Sequence, residues 1–176
     1  SSFAGITVGV EDNECYGDAA GTVTVQTQNG FEPFLFDWTP AFLGTTSEGY
    51  LDSLYAGQYS VTVSDSIGCN YTKDFYVNQP DSIYTAVTRH NPLCFEDSNG
   101  KIEFQTFNGV PPFTYLWSTG DTTQVLDSIP EGIYSVTATD LNQCTVEAVD
   151  TLDDPNLLQL WTIDDVFVCK YQTISL

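Results

Sequence analysis

The chain has 176 residues, 41% of them hydrophobic and 14% aromatic, enough apolar material for globular cores and an argument against disorder. Twenty-four Asp and Glu face four Lys and Arg, a formal net charge of −20, so a nucleic-acid backbone or an anionic lipid surface is repelled and not bound. No run approaches the ~20 apolar residues of a membrane-spanning helix, and no signal peptide opens the sequence.

In chain order, the predicted elements are strands. Gly21-Thr22-Val23-Thr24-Val25-Gln26 alternates apolar and polar, the period of a strand with one buried face. Asn29-Gly30 supplies the positive backbone angles of a tight connection. Pro33 then leads into an aromatic strand ending at Trp38. Tyr59-Ser60-Val61-Thr62-Val63-Ser64 alternates again, Asp65 to Cys69 reads as a turn, and residues 72–77 close the set. Residues 83–88 are apolar and strand-like. Lys101-Ile102-Glu103-Phe104-Gln105, the Asn108-Gly109 turn, the aromatic strand 113–117 and the segment 132–140 then repeat the earlier order. No stretch of 10 or more residues has helical spacing.

The order repeats because the sequence does. Cys15-Tyr16-Gly17-Asp18 returns as Cys94-Phe95-Glu96-Asp97, 79 positions on (15 to 94), and Trp38 returns as Trp117. After the tryptophan the shift is 75: Gly57 to Gly132, Cys69 to Cys144, Pro80 to Pro155, and Cys94 to Cys169. The first copy therefore carries about four extra residues between Trp38 and Gly57. Each unit reads as a small antiparallel, immunoglobulin-like β-sandwich, so the fold class is all-β with tandem sandwiches. The expected boundaries are 1–80, 81–155 and, as the start of a third repeat, 156–176. Linkers around Pro80 and Pro155 are short, which couples neighbouring units stiffly.

Each full unit has one cysteine near its start and one near its end. That suggests bonds Cys15–Cys69 and Cys94–Cys144, with Cys169 awaiting a partner in a longer chain; the alternative is pairs of buried free thiols. Paired cysteines imply an oxidising compartment. Closing a loop of about 50 residues would stabilise a unit by roughly 4 kcal/mol, so reduction is expected to lower both melting temperatures.

Catalysis finds little footing. His90 is the sole histidine, it lies beside a unit boundary, and no carboxylate pair stands out as a glycosidase pair. No cofactor is required. The densest acidic group, Glu11, Asp12, Glu14 and Asp18 with Asn13 among them, is the candidate for calcium, against the alternative of ordinary solvated carboxylates. Trp38 and Trp117 occupy equivalent strand positions, which is how core residues behave. Trp161 and Tyr50 have no aromatic equivalent and are the freer candidates for a sugar-binding surface.

The succession Cys-x-Gly/Glu-Asp, Asn-Gly-x-x-Pro-Phe-x-x-x-Trp, Gly-x-Tyr-Ser-Val-Thr-x-x-Asp-x-x-x-Cys and a closing proline resembles the SprB-type repeat. It holds in register from Cys15 to Pro80 and from Cys94 to Pro155, and Trp117-Ser118-Thr119-Gly120-Asp121-Thr122-Thr123 carries it most closely. The first unit departs from the pattern at Thr39-Pro40-Ala41-Phe42-Leu43-Gly44. The resemblance implies a large secreted surface protein of Bacteroidota, exported by type IX secretion and serving gliding or surface attachment. It implies a non-enzymatic stalk or filament segment of an adhesin, with a lectin-like module as the alternative. Expected partners are neighbouring repeats, other copies in a homopolymeric filament, or a surface glycan, with neither nucleic acid nor membrane insertion. The strands at 83–88 and 157–163 would lead their units, pack on the preceding one and, lent between chains, build that filament. The resemblance also implies O-glycans on Asp-Ser/Thr triplets, here at Ser53, Ser66, Ser82, Thr122, Ser128 and Thr151; turn formation is the alternative reading of the same pairs.

Overall fold

The computed structural model describes residues 3–155. Chain contacts divide it between Ser82 and Ile83 into two units. The strand expected at 157–163, Trp161 and Cys169 lie outside the described residues.

The first unit is built from β1 (Gly5–Glu11), β2 (Gly21–Gln28), β3 (Leu35–Thr39), β4 (Thr45–Thr46), β5 (Tyr50–Leu54), β6 (Gly57–Ser64) and β7 (Asn70–Val77). One sheet has the order β1-β2-β5 and the other β4-β3-β6-β7, with every pairing antiparallel. Alternation decides which face is buried: Val23 and Val25 of β2, Phe36 and Trp38 of β3, and Tyr59, Val61 and Val63 of β6 all turn inward, with Leu54, Phe75 and Val77 completing the cluster. Each such side chain contributes roughly 1.5–3 kcal/mol on burial. Trp38 is 1% exposed and lies edge-on to Phe75 at 6.3 Å between ring centroids.

The second unit repeats this with β8 (Tyr84–His90), β9 (Gly100–Phe107), β10 (Thr114–Trp117), β11 (Val125–Ile129), β12 (Gly132–Thr139) and β13 (Thr145–Leu152). Its sheets are β8-β9-β11 and β10-β12-β13. Its core uses Ile102, Phe104, Trp117, Leu126, Ile129, Tyr134, Val136, Ala138 and Leu152. In each unit this is an immunoglobulin-like arrangement of two antiparallel sheets around one apolar layer. The strand expected at 83–88 is present as β8, Tyr84–His90, which starts one residue later and runs two residues further, paired along its length with β9.

The four extra residues of the first copy have a definite use. After Trp38, Pro40 opens a single 3-10 turn, Ala41–Leu43, and the chain returns as β4 beside β3. In the second copy a tight turn replaces that excursion, with Gly120 N–H donating to the Trp117 carbonyl at 2.8 Å. Each version supplies the same need. The indole N–H of Trp38 donates to Thr46 Oγ1 at 2.9 Å, and that of Trp117 to the Thr123 carbonyl at 2.7 Å, since a buried donor left unpaired is costly.

Candidate functional site

The cysteines report on the two ends of each unit. In the first unit the chain enters at β1, where Gly5 pairs with Gln28 at the end of β2. The same end holds the Asn29-Gly30 turn, with φ of 61° and 98°, and the β6–β7 turn, whose Ser66 N–H donates to the Phe31 carbonyl at 2.9 Å. Asp65 organises this second turn: Oδ1 accepts from the N–H groups of Ile67 and Cys69 at 3.2 and 2.8 Å. Cys69 therefore sits at the leading end, where the chain comes in.

Cys15 sits at the other end. Its loop follows β1, and Asn13 N–H donates to the Asn78 carbonyl at 2.9 Å, just past β7. Gly17 N–H donates to Gln79 Oε1 at 2.8 Å. The buried Asn13 amide completes the anchor, donating to the Leu54 carbonyl and accepting from Ala20 N–H. This is the trailing end, where the chain leaves. Between Cys15 and Cys69 runs the whole of β7, eight residues long, or roughly 23 Å at strand rise. A disulfide allows about 4.4–6.8 Å between Cα atoms.

The expected bond Cys15–Cys69 is accordingly corrected: Cys69 is a free, exposed cysteine, whereas Cys15 is disulfide-bonded. The same geometry governs the second unit. Asp140 Oδ1 accepts from Cys144 N–H at 2.9 Å and Oδ2 from Val110 N–H at 2.9 Å, at the end where Tyr84 meets Phe107. Cys94 lies opposite, beside Glu96, whose N–H donates to Asp154 Oδ2 beyond β13 at 2.6 Å. Cys94 and Cys144 are each disulfide-bonded, but β13, eight residues long, stands between them. A Cys94–Cys144 bond within the unit is ruled out by the same length.

The four acidic candidates are not brought together. Glu11 Oε2 accepts from Thr22 Oγ1 at 3.0 Å. Asp12 accepts from the Asn78 backbone N–H at 2.8 Å and side-chain amide at 3.0 Å, and these bonds hold its carboxyl below the usual range. Among the described residues no group of three or more His, Cys, Asp or Glu is placed to hold a metal ion. Glu14 and Asp18 are exposed.

Ser53 and Ser128, two of the glycan candidates, occupy equivalent bulges in β5 and β11, with φ of 56° and 57°, where the register against β2 and β9 slips. Their hydroxyls donate to the preceding Asp52 and Asp127. Ser66, Ser82 and Thr122 are exposed and Thr151 is half-buried. Tyr50 is exposed on β5, and His90 is exposed at the end of β8. Among the described residues the charged pairs are Arg89 with Asp150 at 2.6 Å and Lys101 with Glu103; the latter contact raises the lysine pKa and lowers that of the glutamate. Thr123, through its hydroxyl and N–H, likewise holds Asp121 low.

Sequence reasoning missed Tyr59 and Tyr134 as a matched pair of anchors. Each donates its hydroxyl proton to the carbonyl four residues back, Tyr55 at 2.9 Å and Pro130 at 3.0 Å, the hydrogen bond of a tyrosine corner. The repeated Gly-x-Tyr was the available signal. Burial pushes both phenols up.

These features define a class: tandem immunoglobulin-like β-sandwich units with aromatic cores and cysteines at their ends. The SprB repeat family model matches residues 86–122, inside the second unit. Curated protein sequences returned no match. Among solved structures the chain is similar to the N-terminal eight Ig domains of Down syndrome cell adhesion molecule isoform 1.30.30, at 16% identity and a TM-score of 0.40, covering 88% of this chain and 25% of that one. It is also similar to a C-terminal 282-residue fragment of intimin in complex with the intimin-binding domain of its translocated receptor, at 17% identity and a TM-score of 0.42, covering 87% and 65%. An amphioxus IgVJ-C2 molecule matches at 12% identity and a TM-score of 0.33, covering 86% and 98%. The chain thus spans a quarter of the first and just under two thirds of the second. No helix among the described residues is long and apolar enough to cross a membrane.

Proposed function

We propose that the chain is a non-enzymatic stalk segment of an exported cell-surface adhesin, its units serving as spacers for surface attachment. One observation carries this reading. In each unit the chain enters at one end of the sandwich and leaves at the other, about a strand length away. A module of that kind adds length with every repeat, whereas one whose ends meet adds bulk. The match to the SprB repeat supports the adhesin setting, and the disulfide-bonded Cys15, Cys94 and Cys144 among the described residues support an oxidising, extracellular one. An acidic surface favours solubility in such a setting.

A spacer under tension must hold its load in units. Pulling the reduced chain between its ends is expected to give two separate unfolding events, each lengthening it by about 200–250 Å. A gradual extension without discrete events would contradict the reading.

A further inference from the structure

The second unit differs from the first at one sheet edge. After Trp38 the first unit lays its own β4 along β3, pairing Thr46 with Phe36 and Thr45 with Asp37. The second unit has a tight turn instead, and β10 ends its sheet, with no strand beside it among the described residues. Antiparallel pairing alternates the direction of the backbone groups along a strand. Ser118 N–H donates to the Ser135 carbonyl at 2.8 Å, so Leu116 and Thr114, two and four residues back, also face β12. Trp117 and Tyr115 face the other way. Trp117 is satisfied there by its own turn: its N–H donates to the Asp121 carbonyl at 2.9 Å and its carbonyl accepts from Gly120 N–H at 2.8 Å. Tyr115, the counterpart of Phe36, presents its N–H and carbonyl at the place where the first unit seats Thr46.

An open edge is ordinarily blunted by a charge. Among the described residues every other edge strand of more than two residues carries one: Glu11, Asp52, Lys73, Arg89, Asp127 and Glu147 lie on them. The strand β10, Thr114-Tyr115-Leu116-Trp117, carries none, and neither does its neighbour β12. The outer face of this sheet has lost charge as well. Where the first unit exposes Asp37, Gln58 and Asp74, the second exposes Leu116, Ile133 and Val149, at 58%, 73% and 66%. On a chain of net charge −20 this selects the occupant. A basic partner gains nothing at an edge without carboxylates, whereas a second copy meets the least repulsion there. Approaching β10 edge-on, it reaches the first charged strand, β13, two strand spacings in, or roughly 10 Å, about one Debye length at ~0.1 M salt.

We infer that β10 pairs antiparallel with β10 of a second copy of this chain about a two-fold axis. Tyr115 opposes the second copy's Tyr115, and the two exchange both N–H to carbonyl hydrogen bonds, while Leu116 lies across from the second copy's Thr114. The two three-stranded sheets become one sheet of six strands. The contact is short, two hydrogen bonds and the side chains beside them, so the isolated chain pairs weakly, and units repeated in an array would add their contacts.

The inference rests on the fold of the second unit and not on the stalk role; a spacer that failed to pair would still unfold in two steps. The test uses the full chain with Cys69→Ser, which removes its exposed free thiol, and follows amide exchange by NMR from tens of micromolar to millimolar protein. Exchange of the Tyr115 N–H is expected to slow severalfold as the concentration rises, and further on adding salt, which screens the repulsion between copies. Phe36 N–H, already covered by β4, is the constant reference. Leu116→Asp places at this edge the residue that the first unit carries as Asp37 and folds with, so the variant should keep its melting temperature and lose the concentration dependence. Tyr115 exchange that is the same at every concentration would overturn the inference: fast throughout, the edge stays open; slow throughout, a segment of the same chain fills it. A concentration dependence that survives Leu116→Asp would overturn it too.

Discussion

At the scale of single residues, stability rests on buried polar groups that find a partner as much as on apolar contact. Tyr134 fills the second core with its ring and holds the Pro130 carbonyl with its hydroxyl. Tyr134→Phe keeps the ring and removes the bond, so chemical denaturation should show a loss of about 1 kcal/mol in the second unit and none in the first. An equal loss in both units would contradict their independence. Trp38 and Trp117 were legible as core from their matching places in the repeat, because a side chain that must fill the same gap twice recurs at the same step. The cysteine pairing was not legible. Repeat position shows that Cys15 and Cys69 occur once per unit, but not that a full strand separates them, and the separation decides which bond can form.

At the scale of elements, alternation predicted the strands and the Asn-Gly pairs predicted the turns, because those patterns act over neighbouring residues. The bulges at Ser53 and Ser128 were hidden, since a slip in register depends on the partner strand. So was β4, whose two residues carry no alternation. Close approach between elements was equally invisible. Gly100 opens β9 against β11 and β13, and a Cβ there would come within 2.7 Å of the Ile129 carbonyl oxygen and 2.7 Å of Leu152 Cδ1. Gly100→Ala should cost about 1–3 kcal/mol by overpacking. Gly9→Ala, where the nearest atom to the added carbon is the Thr24 carbonyl oxygen at 3.9 Å, should be near neutral. Thermal melts of the two variants compare the costs, and an unaffected Gly100→Ala protein would contradict this account of the strand junction.

At the scale of the whole molecule, the repeat announced the architecture, and the placement of the two ends of each unit gives it a mechanical sense. A sandwich crossed from one end to the other transmits tension along its strands, and an aromatic core with a tyrosine anchor at the trailing end resists opening there. The acidic surface, with 24 carboxylates against four basic residues, keeps such a segment soluble without specifying a ligand. If the segment is a spacer, its length matters and its surface chemistry does not. The most direct measurement replaces both units, within the parent surface protein, by two unrelated immunoglobulin-like modules of equal length and scores attachment of whole cells. The account predicts attachment at the level of the unaltered protein. Loss of attachment with the replaced protein still displayed on the surface would contradict it and make the surface of these units the binding agent.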